Sequence, residues 1–293
     1  MNKNALLQLI TAMAIFGSIG FLSPFTGLKA LELVFVRCAC AALFLGMAWV
    51  ISGHAKKEKW SKKEWMLVLA CGISNVLNWI FLFKSFELVS VTIAITLYHI
   101  APILVLLMGS FVFRERLTLL SILAITLCFI GTICIVATNG FSTAAIEWKG
   151  IIFGIFAAFF YALTMLLGKS ITVMSVYATT FIQMLVGLLL VFPFIDYHSY
   201  GMLSNHEWFF AIFTGFVHTG IVYLLFFNSI RYLPTAVVSF MIFVDPAVAI
   251  LLDIVITDVE PGWMQWAGIL FIFTGLFYSL LKPSGKSNQH ASP

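Results

Sequence analysis

His99 and Asp245 are the side chains of this 293-residue sequence whose chemistry is most costly to place. Each stands in the middle of an apolar run close to a proline, in Leu97-Tyr98-His99-Ile100-Ala101-Pro102 and in Phe243-Val244-Asp245-Pro246, with the prolines 144 residues apart. A charged Asp at the centre of a membrane helix costs roughly 2.5 to 3.5 kcal/mol on insertion scales, so it should face a bundle interior or a wet cavity. A carboxyl and an imidazole at mid-depth are candidates to carry a proton exchanged against a substrate. The competing reading is that both groups bond carbonyls freed by Pro102 and Pro246. The prolines themselves read as hinges or as devices that expose carbonyls, although membrane helices tolerate proline readily.

Other polar groups could line the same space. Arg37 lies about one turn inside the end of its apolar run, where it can snorkel to the interface or turn inward. Turned inward, its planar fork suits the carboxylate of an amino acid or another organic anion. Asn75, Asn78 and Trp79 follow one another at helical spacing. Their counterparts 144 residues on are Thr219, Val222 and Tyr223, with His218 adjacent. Tyr98, Tyr161 and Gln183 complete the polar set, their alternative role being contact between helices. Aromatic rings so placed could stack on a planar or cationic substrate group.

These residues need a scaffold that is almost entirely apolar. The sequence is 62% hydrophobic, with 30 Phe and only 10% charged residues, against about 25% charged in soluble domains; mean hydropathy is +1.07. Such a chain is an all-α integral membrane protein. Spans of about 20 apolar residues cross the hydrocarbon core, and ten are predicted, at 5–24, 33–52, 65–84, 91–113, 118–138, 149–168, 176–195, 207–228, 234–257 and 263–281. The first reads as a retained helix, too long and too well followed by others to be a signal peptide. All five cysteines fall within spans without a CxxC pair, which suits small apolar residues better than redox or metal chemistry. His198 and His206 in one loop meet no metal-ligand spacing, so no metal and no cofactor is expected.

Orientation follows from the basic residues. Five lysines in loop 53–64 place that loop and the N-terminus in the cytoplasm. Twelve of the 16 Lys and Arg then fall on that side and three, Lys29, Lys84 and Lys149, outside, with Arg37 inside a span. The net charge of +4 therefore faces anionic lipid and implies no nucleic-acid partner. Ten spans divide into five plus five, so the second half enters the membrane inverted. Residues 82–102 align on 226–246 without gaps, sharing Phe83 with Phe227, Ser85 with Ser229 and the two prolines. Inverted halves with interrupted helices at matching positions point to a secondary transporter with a midplane site.

The sequence resembles the EamA branch of the drug/metabolite transporter superfamily. The resemblance is carried by Phe16-Gly17 and Tyr161-Ala162, by Arg37 and Gln183, by the two proline-bearing helices, by Arg114-Glu115-Arg116-Leu117, and by Gly131 with Gly275 at the same offset. It implies two repeats, 1–140 and 141–283, a disordered cytoplasmic tail at 284–293, both termini in the cytoplasm of an inner membrane, and a monomer or homodimer. It also implies a cavity lined by helices one to four and six to nine. The expected function is alternating-access movement, as export, of a small metabolite such as an amino acid, with a coupled proton and lipid as the other partners. A multidrug or nucleotide-sugar carrier is the alternative within transport. An intramembrane lipid-modifying enzyme is the alternative outside it, disfavoured because no HExxH, GxSxG or phosphate-cradling loop is present; no catalytic residues are assigned. A small-residue ridge at Gly150, Gly154 and Ala158 suits helix contact within the fold, and Lys169 reads as a snorkelling charge rather than a gate.

Overall fold

The computed structural model describes residues 2–89, 91–115, 117–136, 148–256 and 262–281. Ten apolar helices carry the fold: α1 (Lys3–Thr26), α2 (Ala30–Ile51), α3 (Lys62–Leu88), α4 (Ile93–Phe113), α5 (Leu119–Ile135), α6 (Trp148–Ser170), α7 (Val176–Phe194), α8 (Asn205–Ile230), α9 (Thr235–Ile256) and α10 (Trp263–Tyr278). Eight are long and apolar enough to cross a membrane, and α5 and α10 are shorter. Helices are the expected solution, because hydrocarbon leaves every backbone N–H and C=O to be satisfied within its own segment. Exposed Leu43, Phe111, Leu189 and Val255 form the greasy exterior.

The ends obey ordinary capping chemistry. Ser61 accepts from the Glu64 N–H ahead of α3, and Ser175 from the Ala178 N–H ahead of α7. Ser204 and Glu207 cap one another at the start of α8. Gly27 and Gly53 take left-handed φ of 63° and 72° just beyond α1 and α2.

Both proline helices are broken as the sequence predicts, with the break one step earlier than the prolines. The first runs Val91–Tyr98 and resumes at Ala101–Phe113; the second runs Thr235–Met241 and resumes at Val244–Ile256. Pro102 and Pro246 thus occupy the first turns of the resumed segments, where a missing N–H costs nothing. Two deformations are absent from the sequence reading. Helix α1 stops at Gly17, resumes at Ile19–Leu22 and ends as a 3-10 turn at Ser23–Thr26, while α8 contains a π segment at Gly215–Ile221.

The inverted repeat is written into the packing of α5 on α10. Cys128 Sγ donates to the Ile272 carbonyl, its partner at an offset of 144. A Cβ on Gly131 would stand 2.6 Å from the Gly268 carbonyl oxygen, and one on Gly275 would stand 2.9 Å from that of Ala124. The second contact is the first with 144 added to one residue and subtracted from the other, as a twofold axis through this crossing requires.

The seam between α3 and α6 is a ladder of side chains donating to carbonyls: Cys71 to Thr164, Ser74 to Phe160 (2.9 Å), Asn78 to Ala157 (2.8 Å) and Ser85 to Gly150 (2.9 Å). Gly150 and Gly154 let α6 approach Leu88 and Leu97, the intramolecular contact expected of that ridge. At the lysine-rich end, the Glu64 carboxylate accepts from the N–H groups of Thr172, Val173 and Met174 ahead of α7. Glu115 accepts from the Thr235 N–H at the start of α9. Lys169 is not snorkelling there. It donates to Glu115 at 3.0 Å, to the Leu233 carbonyl and to the Thr235 hydroxyl, a tie between the ends of α4, α6 and α9. Its terminal ammonium is drawn inward because an acid and two free acceptors converge on it.

Close glycine packing on the axis makes a steric prediction. Gly268→Val should lower thermal stability by about 1 to 3 kcal/mol through overpacking, since its Cβ would lie 2.5 Å from the Gly131 carbonyl oxygen, whereas Gly201→Ala, which meets only open space, should leave the melting temperature unchanged.

Candidate functional site

The space between the two repeats gathers most of the polar side chains singled out in the sequence. Arg37 points inward from α2 and is only 8% exposed. Its Nε donates to the Thr219 hydroxyl at 2.9 Å, and its guanidinium lies over the Trp79 ring at 5.5 Å. The π segment of α8 brings Thr219 to this place, an extra backbone residue per turn being a common way to turn side chains toward a site. The ion pairs among the described residues are Lys84–Glu87 and Lys169–Glu115, so no described carboxylate lies within 4 Å of Arg37. Its two terminal nitrogens have no acceptor among the described residues.

Trp79 meets Tyr223 edge-on at 6.0 Å, and Phe16 of α1 meets the same tyrosine at 5.7 Å. The Tyr223 hydroxyl donates to Asn75 Oδ1. Beside this group, Tyr98 and Tyr161 stack at 5.1 Å, and the Tyr98 hydroxyl donates to Asn78 Oδ1. Asn78 is anchored in turn to the Ala157 carbonyl. Asn75 and Trp79 therefore face α8, while Asn78 faces α6; the stripe divides between two neighbours.

Asp245 is half-buried in the first turn of the resumed part of α9, and it too lies beyond 4 Å from any described cation. It is near enough to Tyr98 and Tyr161 to act on their hydroxyls electrostatically, as Arg37 acts on Tyr98 and Tyr223. The result is a buried cation and an acid, neither with an ionic partner among the described residues. Gly17 packs against the Asp245 main-chain carbonyl, so the break in α1 adjoins the break in α9.

His99 is less available. It sits in the break of α4, where Nδ1 is 2.9 Å from the Ile95 carbonyl and the ring lies 6.3 Å from Phe243. The bonded carbonyl is an ordinary helical one, not one released by Pro102. His218, on the π segment, pairs through Nε2 with Ser18 Oγ at 2.9 Å, while its buried Nδ1 has no partner among the described residues. Gln183 is 1% exposed, and neither its amide oxygen nor its nitrogen has a partner among the described residues; it stands on α7 against Gly72 of α3. Sequence reasoning did not place Ser18 or Phe16 here, because nothing in their neighbours signals the break in α1. Thr219 was visible only as the counterpart of Asn75. Cys38, Cys40, Cys71 and Cys128 are buried and free, and the described residues contain no cluster of three metal-ligating side chains.

An all-helical membrane bundle of two inverted halves enclosing a polar, aromatic-walled centre defines a multi-pass transporter. Residues 3–137 and 148–281 each match the EamA-like transporter family, and the chain belongs to that family. It is similar to the "Uncharacterized transporter YxxF" of Bacillus subtilis (strain 168), with 50% identity over 291 residues, covering 99% of this chain and 94% of that protein. A crystal structure of a chain 16% identical shares its fold, at a TM-score of 0.84 over 96% of this chain and 99% of the other. Arg116 and the second charged turn, 258–261, lie outside the described residues, as does the tail.

Two of the buried amides, Asn78 and Gln183, make opposite expectations. Asn78→Ala should cost about 1 to 3 kcal/mol in a thermal unfolding assay, because it strips a partner from the Ala157 carbonyl and the Tyr98 hydroxyl. Gln183→Met breaks no hydrogen bond and should leave stability equal or higher.

Proposed function

We propose that this protein is a secondary carrier for a small zwitterionic metabolite, an amino acid or a close relative, which it exports across the inner membrane by alternating access. One observation carries the reading: the Arg37 guanidinium is buried on Trp79 and Thr219 with its terminal nitrogens unclaimed and no carboxylate beside it. A planar fork in that state is arranged for a carboxylate brought by the substrate. Asp245, unpaired and close to Tyr98 and Tyr161, suits the ammonium end. The unpartnered Gln183 amide and His218 Nδ1 supply further donors and an acceptor. Such groups are costly to bury unused, and a polar ligand relieves that cost.

Proton coupling follows from Asp245 serving both substrate and proton. With the ammonium bound the carboxyl must be ionised, and on release it can take up a proton that returns in the opposite direction. The five-lysine loop 53–64 and both termini face the cytoplasm in this reading, and the repeats divide near residue 140. A second reading is supported by the aromatic walls, Tyr98 stacked on Tyr161 and Trp79 edge-on to Tyr223, which suit a flat hydrophobic cation held by Asp245 alone.

Purified protein in proteoliposomes distinguishes these. Amino-acid flux should fall at least tenfold in Arg37→Gln, with binding weakened, and Asp245→Asn should abolish flux driven by a pH gradient while the protein remains folded. Flux of a cationic dye that persists in Arg37→Gln, without amino-acid flux in the wild type, would select the second reading. Undiminished amino-acid flux in Arg37→Gln would reject the first.

A further inference from the structure

The loop that joins α2 to α3 presents an unusual charge balance. Lys56, Lys57, Lys59, Lys62 and Lys63 fall within eight residues and are all exposed. Two acids, Glu58 and Glu64, are interspersed with them and would ordinarily screen them. Both are turned into the protein. Glu64 is buried and accepts from three successive N–H groups of residues 172–174. Glu58 accepts from the Ser175 N–H at 2.8 Å, from the Ser175 hydroxyl and from Trp49 Nε1 at 3.0 Å. Neither ion pair among the described residues involves any of the five lysines.

The same loop and the first turn of α3 carry two exposed indoles. Trp60 and Trp65 stack at 5.5 Å and are 53% and 37% exposed, and Trp49 meets Trp60 edge-on at 6.0 Å. Large aromatic rings at the end of a membrane helix sit at headgroup depth. Five exposed lysines, none in an ion pair among the described residues, therefore flank an aromatic platform at the depth of the lipid headgroups.

We propose that this face is a binding site for anionic phospholipid headgroups, with the lysines contacting the phosphates and Trp60 and Trp65 resting at the glycerol level. Charge complementarity selects the occupant. The lysines flank the indoles in sequence, Coulomb attraction reaches about 8 Å at physiological ionic strength, and basic clusters beside a membrane helix attract acidic lipid. The sequestered acids distinguish the site from an ordinary solvated charge run, because they keep the patch cationic. They also give it a consequence: Glu58 and Glu64 hold the chain entering α7, so lipid that orders this loop orders the tie between the two repeats.

Two measurements on the full-length protein test this. In native mass spectrometry from mixed micelles, the wild type should retain phosphatidylglycerol over phosphatidylcholine by at least tenfold. The combined Lys56→Gln, Lys57→Gln, Lys59→Gln, Lys62→Gln and Lys63→Gln variant should lose that preference, whereas Lys29→Gln with Lys149→Gln should keep it. Equal retention of both lipids by the wild type, or an unchanged preference in the five-lysine variant, would overturn the proposal. Should the five-lysine variant fail to insert, tryptophan fluorescence of the wild type decides. Brominated phosphatidylglycerol vesicles should quench more than brominated phosphatidylcholine vesicles, with the difference abolished in Trp60→Phe, Trp65→Phe and unaffected by excess inorganic phosphate. Equal quenching by the two lipids, or loss of the difference with phosphate, would contradict a lipid site.

Discussion

A guanidinium held inside a membrane bundle with no counter-ion among the described residues constrains everything around it. Taking a cation out of water is expensive, and a paired carboxylate is the usual compensation. Arg37 has instead a hydroxyl acceptor and an indole face. Each compensates partially, through one charge-assisted hydrogen bond and the negative face of the ring. That arrangement explains why Thr219 must be delivered by a π segment, why Trp79 is braced by Tyr223, and why Tyr223 is braced by Phe16 and Asn75. It also leaves a site whose electrostatics are completed only when something negative arrives.

The two repeats carry one blueprint in two conformations. In the pairing of α3 with α6, residues 71, 74, 78 and 85 all bond across to carbonyls. The positions 144 later are Gly215, His218, Val222 and Ser229. Of these, His218 reaches α1, at Ser18, while Ser229 bonds back to Phe226 on its own helix. The α3–α6 pair is continuous, whereas α1 breaks at Ser18 and α8 relaxes into a π segment beside it. Inverted repeats that differ in this way supply two states of one interface, which alternating access requires. Ties at the lysine-rich end, from Glu64 to residues 172–174 and from Glu115 to Lys169 and Thr235, accompany the closely bonded seam.

How much of this was legible in the sequence depended on whether the signal was compositional or conformational. Apolar run lengths located all ten helices to within a few residues, because lipid imposes length directly. The repeat offset of 144 was visible in the prolines and reappears in the Cys128–Ile272 contact. Inward placement of Arg37 was an open alternative, since one turn from a helix end is compatible with either direction. The break at Ser18 and the π segment were invisible: Gly17 and Gly215 are common residues in membrane helices, and it is the close approach of the Asp245 carbonyl to one and of Cys40 to the other that requires a glycine there. Glu58 and Glu64 read as part of a charged loop, and only the fold reveals that their carboxylates are turned away from the lysines, onto N–H groups of residues 172–175 in the other repeat.

The most direct test asks whether the surroundings of Arg37 are open to water and electropositive. In a variant without the five native cysteines, Thr219→Cys would be treated with a sulfonate-bearing and a trimethylammonium-bearing methanethiosulfonate of similar size. The account predicts faster reaction with the anionic reagent, an advantage removed by adding Arg37→Gln. No reaction with either reagent, or preference for the cationic one, would contradict it.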